Sequence, residues 1–192
     1  VFGQDIYTTS TDTVTNAGKI DNLAFYLQDQ ITLLPEHLFA IAGLRWDHST
    51  FYDGEFYIAS PTAATNILTK FQELNLEESH GSEFSPKLAL QYSNGKKLSG
   101  YVSYGHGFRP SILDDMCRSG FISGGFKRAN PYLQPERMNN FEVGGDLQLW
   151  QRAKLSLSAY YSIGQDFIYQ VSTGDSVLQG KNLKPLKEAR NI

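Results

Sequence analysis

The sequence has little cysteine, no long apolar run and no excess of positive charge, and each shortage excludes a class of protein. The only cysteine among the 192 residues is Cys117, so a disulfide-stapled secreted scaffold is excluded. The formal net charge is -3, so the chain lacks the excess of basic residues that is typical of a nucleic-acid-binding protein. No apolar stretch approaches the roughly 20 residues of a membrane helix, but a spanning strand needs only about 10 residues with every second one apolar.

Aromatic residues are abundant and fall into alternating patterns. The chain has 12 Phe and 11 Tyr, and in six segments apolar and polar residues alternate with the period of a half-buried strand. Residues 1–20 are polar, lack periodicity and predict a loop. The predicted strands are Leu23–Leu33, Leu38–Asp47, Phe84–Tyr92, Leu98–Tyr104, Asn140–Leu149 and Leu155–Val171, with a possible seventh near the end of the chain.

The connections between these strands alternate between short and long. Short turns are predicted at Pro35, at Asn94-Gly95 and at Gln151-Arg152, whereas residues 49–83 and 106–138 form long connections. Ile67–Leu76, within the first of these, could be a short helix or an extension of the strands. Outer-membrane barrels have short periplasmic turns and longer extracellular loops. We therefore predict an all-β, antiparallel up-and-down meander, a partial transmembrane barrel wall of about six to seven strands with long extracellular loops.

Two short motifs flank the second long connection and make the pattern specific. Gly107-Phe108-Arg109-Pro110 ends one strand, and Asn130-Pro131-Tyr132-Leu133-Gln134-Pro135-Glu136 precedes the strand that contains Phe141-Glu142-Val143-Gly144. This pairing resembles the motifs of TonB-dependent outer-membrane receptors, and further matches extend the resemblance over about residues 24–171. The alanine that the family places between the residues at Arg109 and Pro110 is missing here.

The resemblance implies a receptor of the Gram-negative outer membrane. The family takes up a scarce ligand actively, such as an iron–siderophore or cobalamin, with energy from the TonB complex. Its proteins are longer and contain a plug domain that nothing in residues 1–192 resembles, so the whole chain is expected to be part of the later half of the barrel. Expected partners are TonB (through a plug), outer-membrane lipid and a small-molecule or metal-chelate ligand, but no nucleic acid.

The candidate site residues follow from the motifs and the loops. Ligand contacts are expected from loops 49–83 and 106–138, and Arg109 is expected to meet either Glu142 or Glu136 and tie the loop ends together. The proposed rim motif comprises Gly107, Phe108, Arg109, Pro110, Asn130, Pro131, Leu133, Pro135, Glu136 and Glu142. Pro110, Pro131 and Pro135 stop strand pairing or stiffen the chain.

No catalytic constellation, metal site or cofactor is predicted. The four histidines are dispersed, and none has the spacing of a metal-ligand pair. Haem-importing members of the family carry a histidine between the two motifs, whereas Ser111 to Ala129 contains none. Two other functions remain open at this point: a soluble β-sandwich that binds carbohydrate, and a passive porin or adhesin.

Overall fold

The structure is a computed structural model that describes residues 2–5, 8–9, 14–61, 65–179 and 181–192. Two short helices, a 3₁₀ helix at Asn66–Phe71 and α1 at Leu113–Cys117, interrupt a chain of strands. In this part of the chain, neither helix is long and apolar enough to cross a membrane. The strands are β1 (Phe2–Asp5), β2 (Thr8–Thr9), β3 (Val14–Leu34), β4 (Leu38–Ile58), β5 (Glu73–Leu76), β6 (Ser79–Ser93), β7 (Leu98–Arg109), β8 (Gly120–Ile122), β9 (Gly125–Arg128), β10 (Glu136–Trp150), β11 (Ala153–Gln165), β12 (Ile168–Gln179) and β13 (Asn182–Asn191).

Six long strands form an antiparallel wall in the order β3-β4-β6-β7-β10-β11. Each pairs with its neighbour in the chain, and the short turns lie where the sequence predicts them. The Asn94 side chain accepts hydrogen bonds from the backbone N–H groups of Lys96, Lys97 and Leu98, which fixes the second turn. The sheet is open, with β1 and β11 at its edges. The predicted meander and partial barrel wall are therefore confirmed.

The two faces of the wall differ in chemistry. Cross-strand partners such as Leu27 and Leu44, or Val102 and Val143, share the outer face because they are directly paired. Many outer-face side chains are strongly exposed, with Leu27 78% and Leu157 69% exposed. A continuous exposed apolar face of this kind needs a lipid or protein covering. The opposite, inner face carries mainly polar and small side chains, as the lumen of a barrel does.

The strands extend further than the sequence predicts at the end of the wall where the long connections lie. β3 begins at Val14, inside the segment expected to be a loop, and β4 continues to Ile58 within loop 49–83. Residues 1, 6–7 and 10–13 of the predicted N-terminal loop, and residues 62–64, lie outside the described residues. The ambiguous Ile67–Leu76 segment contains both the 3₁₀ helix and β5. These polar strand extensions lack the apolar alternation by which the rest of each strand is predicted.

The predicted sixth strand, Leu155–Val171, is wrong at its end. β11 stops at Gln165, where Asp166 adopts a positive φ of 57°, and β12 begins at Ile168 in a different sheet. Phe167, Tyr169 and Val171 continue the apolar pattern of every second residue. Such alternation does not show where a strand bends or ends. The strands near the chain end thus belong to a second sheet rather than to the wall.

This second sheet has the order β12-β13-β9-β8. It packs against the parts of β3 and β4 that extend beyond the predicted strands. Two apolar clusters lie between the layers. The first contains Val14, Phe56, Ile58, Leu68, Phe126, Val177 and Leu186. The second contains Phe51, Leu76, Leu113, Met116, Cys117, Leu133 and Ala189. The long connections are therefore folded into a cored layer above the wall, and burial of these side chains holds them in place.

Candidate functional site

Arg109 and Glu136 join the ends of the second long connection. The Arg109 Nε donates to Glu136 Oε2 at 2.6 Å, and the two residues are directly paired across β7 and β10. The other oxygen, Oε1, accepts the backbone N–H of Ile168 at 2.8 Å. The hydrogen bond from Arg109 holds the pKa of Glu136 below its ordinary value, despite the opposing effect of burial. Glu136 thus ties three strands at the rim.

Glu142, the alternative partner, lies lower on the inner face and does not meet Arg109. It accepts a hydrogen bond from the Tyr101 hydroxyl. The Tyr101 ring lies directly over Gly144, where a Cβ would come within 2.6 Å of the ring, so a glycine is required for this close approach. Of the two carboxylates proposed for Arg109, the structure selects Glu136.

The remaining members of the rim motif lie around the Arg109–Glu136 pair and hold the chain through packing and hydrogen bonds. The Ser111 hydroxyl donates to the Leu133 carbonyl at 3.2 Å, and Leu133 itself is buried in the second apolar cluster. Phe108, Pro110 and Pro135 line a cavity of about 400 Å³ on the inner side of the wall. Asn130 donates from its side chain to the Ala189 carbonyl at 2.9 Å. Gly107 lies on β7 beside Met138 of β10.

A buried ion cluster holds the middle of the 106–138 segment, which matched no motif in the sequence. The Lys127 side chain is 4% exposed, and its Nζ lies 2.6 Å from Asp114 Oδ2 and 2.8 Å from Asp115 Oδ1. Burial raises the pKa of Asp114, but hydrogen bonds from Arg118 and Lys127 outweigh it and leave that pKa below its ordinary value. Lys127 therefore joins α1 to β9.

The two candidate loops meet around one cavity of about 550 Å³. Residues 70–77 of the first loop form one wall, and residues 128–132 of the second form the other. Glu188 of β13 completes the lining. The loops that the sequence separates by a strand pair are thus adjacent, as expected of two connections at the same end of a meander. We refer to this cavity as the loop pocket.

Hydrogen-bonding groups and rings share the lining of the loop pocket. The Tyr132 hydroxyl donates to a Glu77 carboxylate oxygen, a bond that links the two loops directly. This hydrogen bond raises the pKa of Tyr132 above its ordinary value. Arg128 lies 2.9 Å from Glu188, which also pairs with Arg190. Phe71 adds aromatic surface beside Tyr132, so the pocket offers stacking and polar contacts together.

The sequence predicted which loops form the site, but it did not single out most of the residues in them that line the pocket. Of the predicted rim residues, Asn130 and Pro131 reach the loop pocket. Lys70, Glu73 and Asn75 lie within loop 49–83, yet nothing in their spacing distinguishes them. Glu188 falls outside both loops. In the sequence it is only part of a charged run near the chain end, and the pairing of this segment with β9 cannot be predicted from sequence.

In the described ranges, no group of three or more His, Cys, Asp or Glu residues is placed to hold a metal ion. His48, His80 and His106 lie on strands of the wall, and His37 lies in the first short turn. His106 Nδ1 is 3.0 Å from Asn139 Oδ1. Cys117 is buried, and burial raises the pKa of its thiol to about 11, which is unsuited to a nucleophile.

The family follows from comparison with known sequences. The family model described as "TonB dependent receptor-like, beta-barrel" matches residues 2–191. The chain belongs to this family. The family is one of receptors and transporters rather than enzymes, and the match agrees with the open wall and the layer of folded loops. No protein with a curated description matches the sequence significantly.

Solved structures of receptors share the fold. The hemophore receptor HasR of Serratia marcescens, in complex with its hemophore HasA and heme, aligns with a TM-score of 0.62 and 20% identity over 92% of this chain and 30% of that one. The ferric-catecholate import receptor Fiu of E. coli gives 0.57 and 14%, covering 88% and 25%. The alcaligin receptor FauA of Bordetella pertussis gives 0.51 and 17%, covering 98% and 29%. The chain thus spans less than a third of these receptors.

Proposed function

We propose that this chain is a section of the barrel wall, with its extracellular layer, of an outer-membrane receptor that imports a scarce ligand in a TonB-dependent manner. The ligand is an iron–siderophore, cobalamin or a compound of similar size. Loops 49–83 and 106–138 supply contacts to it. The observation that carries this proposal is the loop pocket, which the two loops form together at the end of the wall where the long connections lie.

The size and lining of the pocket support recognition of a compact polar ligand. A volume of about 550 Å³ lies within the roughly 300–1,000 Å³ range of small-molecule sites. Tyr132 and Phe71 supply ring surface, and Lys70, Gln72 and Asn75 supply donors and acceptors. The Tyr132–Glu77 bond makes the two walls interdependent, so ligand contacts on one loop affect the other.

The wall supports the membrane location. Its exposed apolar face suits contact with lipid, and its polar inner face suits a wet lumen. Import against a gradient requires energy, which in this family comes from TonB through a plug domain. The 192 residues supply the wall and the outer layer, and the full-length receptor that contains them carries out transport.

Uptake by cells that express the full-length receptor tests this function. Cells limited for iron or cobalamin are given one labelled ligand at a time: a ferric hydroxamate, a ferric catecholate or cobalamin. We expect one of these to accumulate only when the receptor and TonB are both present. In cells without TonB, the ligand should bind at the surface but not accumulate.

The same assay distinguishes the receptor from the alternatives. Accumulation that is unchanged without TonB would indicate a passive porin and would overturn the proposal. For the ligand identified, Tyr132→Ala should weaken surface binding about tenfold, the loss expected when an aromatic contact and a hydrogen bond are removed. Glu78→Ala is the matched control, because Glu78 is an exposed neighbour of Glu77 that does not line the pocket.

A further inference from the structure

The outer face of the wall changes from apolar to polar at one level across three neighbouring strands. On β4 the outward-facing residues run from Leu44 through Trp46 to His48 and Thr50. Their partners on β6 are, in the same order, Pro86, Phe84, Ser82 and His80. On β3, Phe25 and Leu23 are followed by Asp21, the partner of Thr50. This level marks the upper boundary of the lipid-facing surface, where amphipathic rings meet headgroups.

Four aromatic rings are aligned across this boundary. Phe25 and Trp46 have ring centroids 6.0 Å apart at 10°, Trp46 and His48 are 5.8 Å apart at 16°, and His48 and His80 are 6.3 Å apart at 9°. The column therefore crosses three strands and changes from a phenyl and an indole ring to imidazoles on passing out of the apolar face.

The imidazoles are oriented by neighbouring hydroxyl groups. His48 Nδ1 lies 2.8 Å from the Ser82 Oγ, and His80 Nδ1 lies 3.3 Å from the Thr50 Oγ1. Among the described residues, the Nε2 of His80 has no hydrogen-bond partner, and the side chain is exposed. An oriented imidazole with an open ring nitrogen at a lipid boundary is available to a headgroup.

The charges around the column argue against a purely anionic headgroup. Asp21 accepts a hydrogen bond from the Tyr52 hydroxyl at 3.2 Å, and Lys19 is paired with Asp53 at 2.8 Å. Among the residues that the structure describes, two carboxylates and one ammonium group therefore lie above the histidines, which gives no net positive charge for a phosphate. Rings, imidazoles, hydroxyls and carboxylates at one place instead suit sugar hydroxyl groups, which both donate and accept.

We propose that Trp46, His48, Thr50 and His80 form a binding site for the sugar headgroup of a glycolipid in the outer leaflet. The acyl chains of this lipid lie along the apolar face below, against Phe25 and Phe84. The site is continuous with the lipid-facing wall, and it is separate from the loop pocket, so it does not depend on which ligand the receptor imports.

Native mass spectrometry of the full-length receptor released from nanodiscs tests this site. The nanodiscs contain phosphatidylcholine alone or with one added lipid: a glucosyl diacylglycerol (sugar without phosphate), phosphatidylglycerol (phosphate without sugar) or lipooligosaccharide (both). We expect the receptor to retain the glucosyl lipid and lipooligosaccharide over phosphatidylcholine. A paired His48→Gln and His80→Gln variant should retain them about tenfold less, as expected for the loss of one or two net hydrogen bonds and ring contacts.

A matched control uses the histidine at the other end of the wall. His37 lies in the first short turn, with Nδ1 2.8 Å from the Ser93 carbonyl, and His37→Gln should leave glycolipid retention unchanged. Trp46→Leu, which keeps apolar area but removes a ring, should also lower retention. Equal retention of the glucosyl lipid by the native receptor and the paired variant would overturn the site. Preference for phosphatidylglycerol over the glucosyl lipid would overturn sugar recognition in favour of phosphate.

Discussion

Arg137 on β10 donates to the carboxylate of Glu83 on β6, although these two strands do not pair. β6 pairs with β7 only as far as Lys87 and Gly105, and above that level β6 stays with β4 while β7 stays with β10. The wall therefore forks below the loops. Arg137 spans the fork and also reaches Asp166 at 2.6 Å, so one guanidinium holds three strand ends.

Replacing this arginine should weaken the outer part of the wall. Arg137→Met leaves the carboxylates of Glu83 and Asp166 without their cation, and we expect the free energy of unfolding to fall by about 2–4 kcal/mol. Urea unfolding of the full-length receptor in lipid vesicles measures this. Lys154→Met serves as the control, since the exposed Lys154–Asp146 pair should contribute no more than about 1 kcal/mol. Equal effects of the two substitutions would show that the fork does not depend on Arg137.

Acid should weaken the rim through Glu136. Its pKa is lower in the folded protein than the ordinary value of 4.5, first because of the hydrogen bond from Arg109. A lowered folded pKa adds stability that is present above the unfolded value and is lost as the pH falls through the folded one. We therefore expect this contribution to be constant from pH 7 to about pH 5 and to be lost as the pH falls below 4.5 and through the lowered folded pKa.

The comparison with Glu136→Gln isolates this group from other carboxylates that behave in the same way, such as Asp114 and Glu188. The stability difference between the native receptor and the variant should shrink as the pH falls from 5 towards 3. Unfolding curves at several pH values measure it. A difference that stays constant over this range, or grows, would contradict the proposed ion pair.

The spanning part of the wall was predictable from sequence, whereas the layer above it was not. Leu27 and Leu44 alternate with polar or small neighbours because one face of the wall is apolar and the other is polar, and that period is visible in a single chain. Contacts such as Lys127 with Asp114, or Glu188 with Arg128, join segments whose packing depends on tertiary structure. The motifs predicted the Arg109–Glu136 pair but left Glu142 as an equal alternative, because both carboxylates share the inner face of β10.

The ion cluster beneath α1 should stabilise the second loop. Lys127→Met removes the cation from two carboxylates that are partly or largely buried, and we expect loop 106–138 to become sensitive to protease, with a loss of about 3 kcal/mol in local stability. A triple variant that adds Asp114→Asn and Asp115→Asn should recover part of this loss, because no carboxylate is then left without its buried cation. Arg118, which loses its Asp114 partner in this variant, is 41% exposed and stays solvated. If Lys127→Met is as resistant to protease as the native protein, the ion cluster does not stabilise loop 106–138.

Cys117, the only cysteine among these 192 residues, should be chemically inert in the folded protein. Cys117 is 3% exposed, its thiol donates to the Leu113 carbonyl at 3.0 Å, and burial raises its pKa to about 11. Little thiolate is therefore present at pH 8. Maleimide labelling, followed by mass spectrometry, should be complete in denaturant and at least about a hundredfold slower in the folded state. Rapid labelling without denaturant would show that the apolar cluster around Cys117 is open.

Because Cys117 is buried and unreactive, a cysteine introduced among these residues can carry a reporter that tests the central claim. Asn75 lines the loop pocket, whereas Glu78 does not, so Asn75→Cys and Glu78→Cys place the same fluorophore inside and outside the proposed site. The measurement is the fluorescence of each labelled full-length receptor, titrated with the ligand that accumulates in a TonB-dependent manner. We predict a saturable change at position 75, at the concentrations that support uptake, and none at position 78. Saturable binding of that ligand with no change at position 75, or with equal changes at both positions, would contradict recognition by the loop pocket.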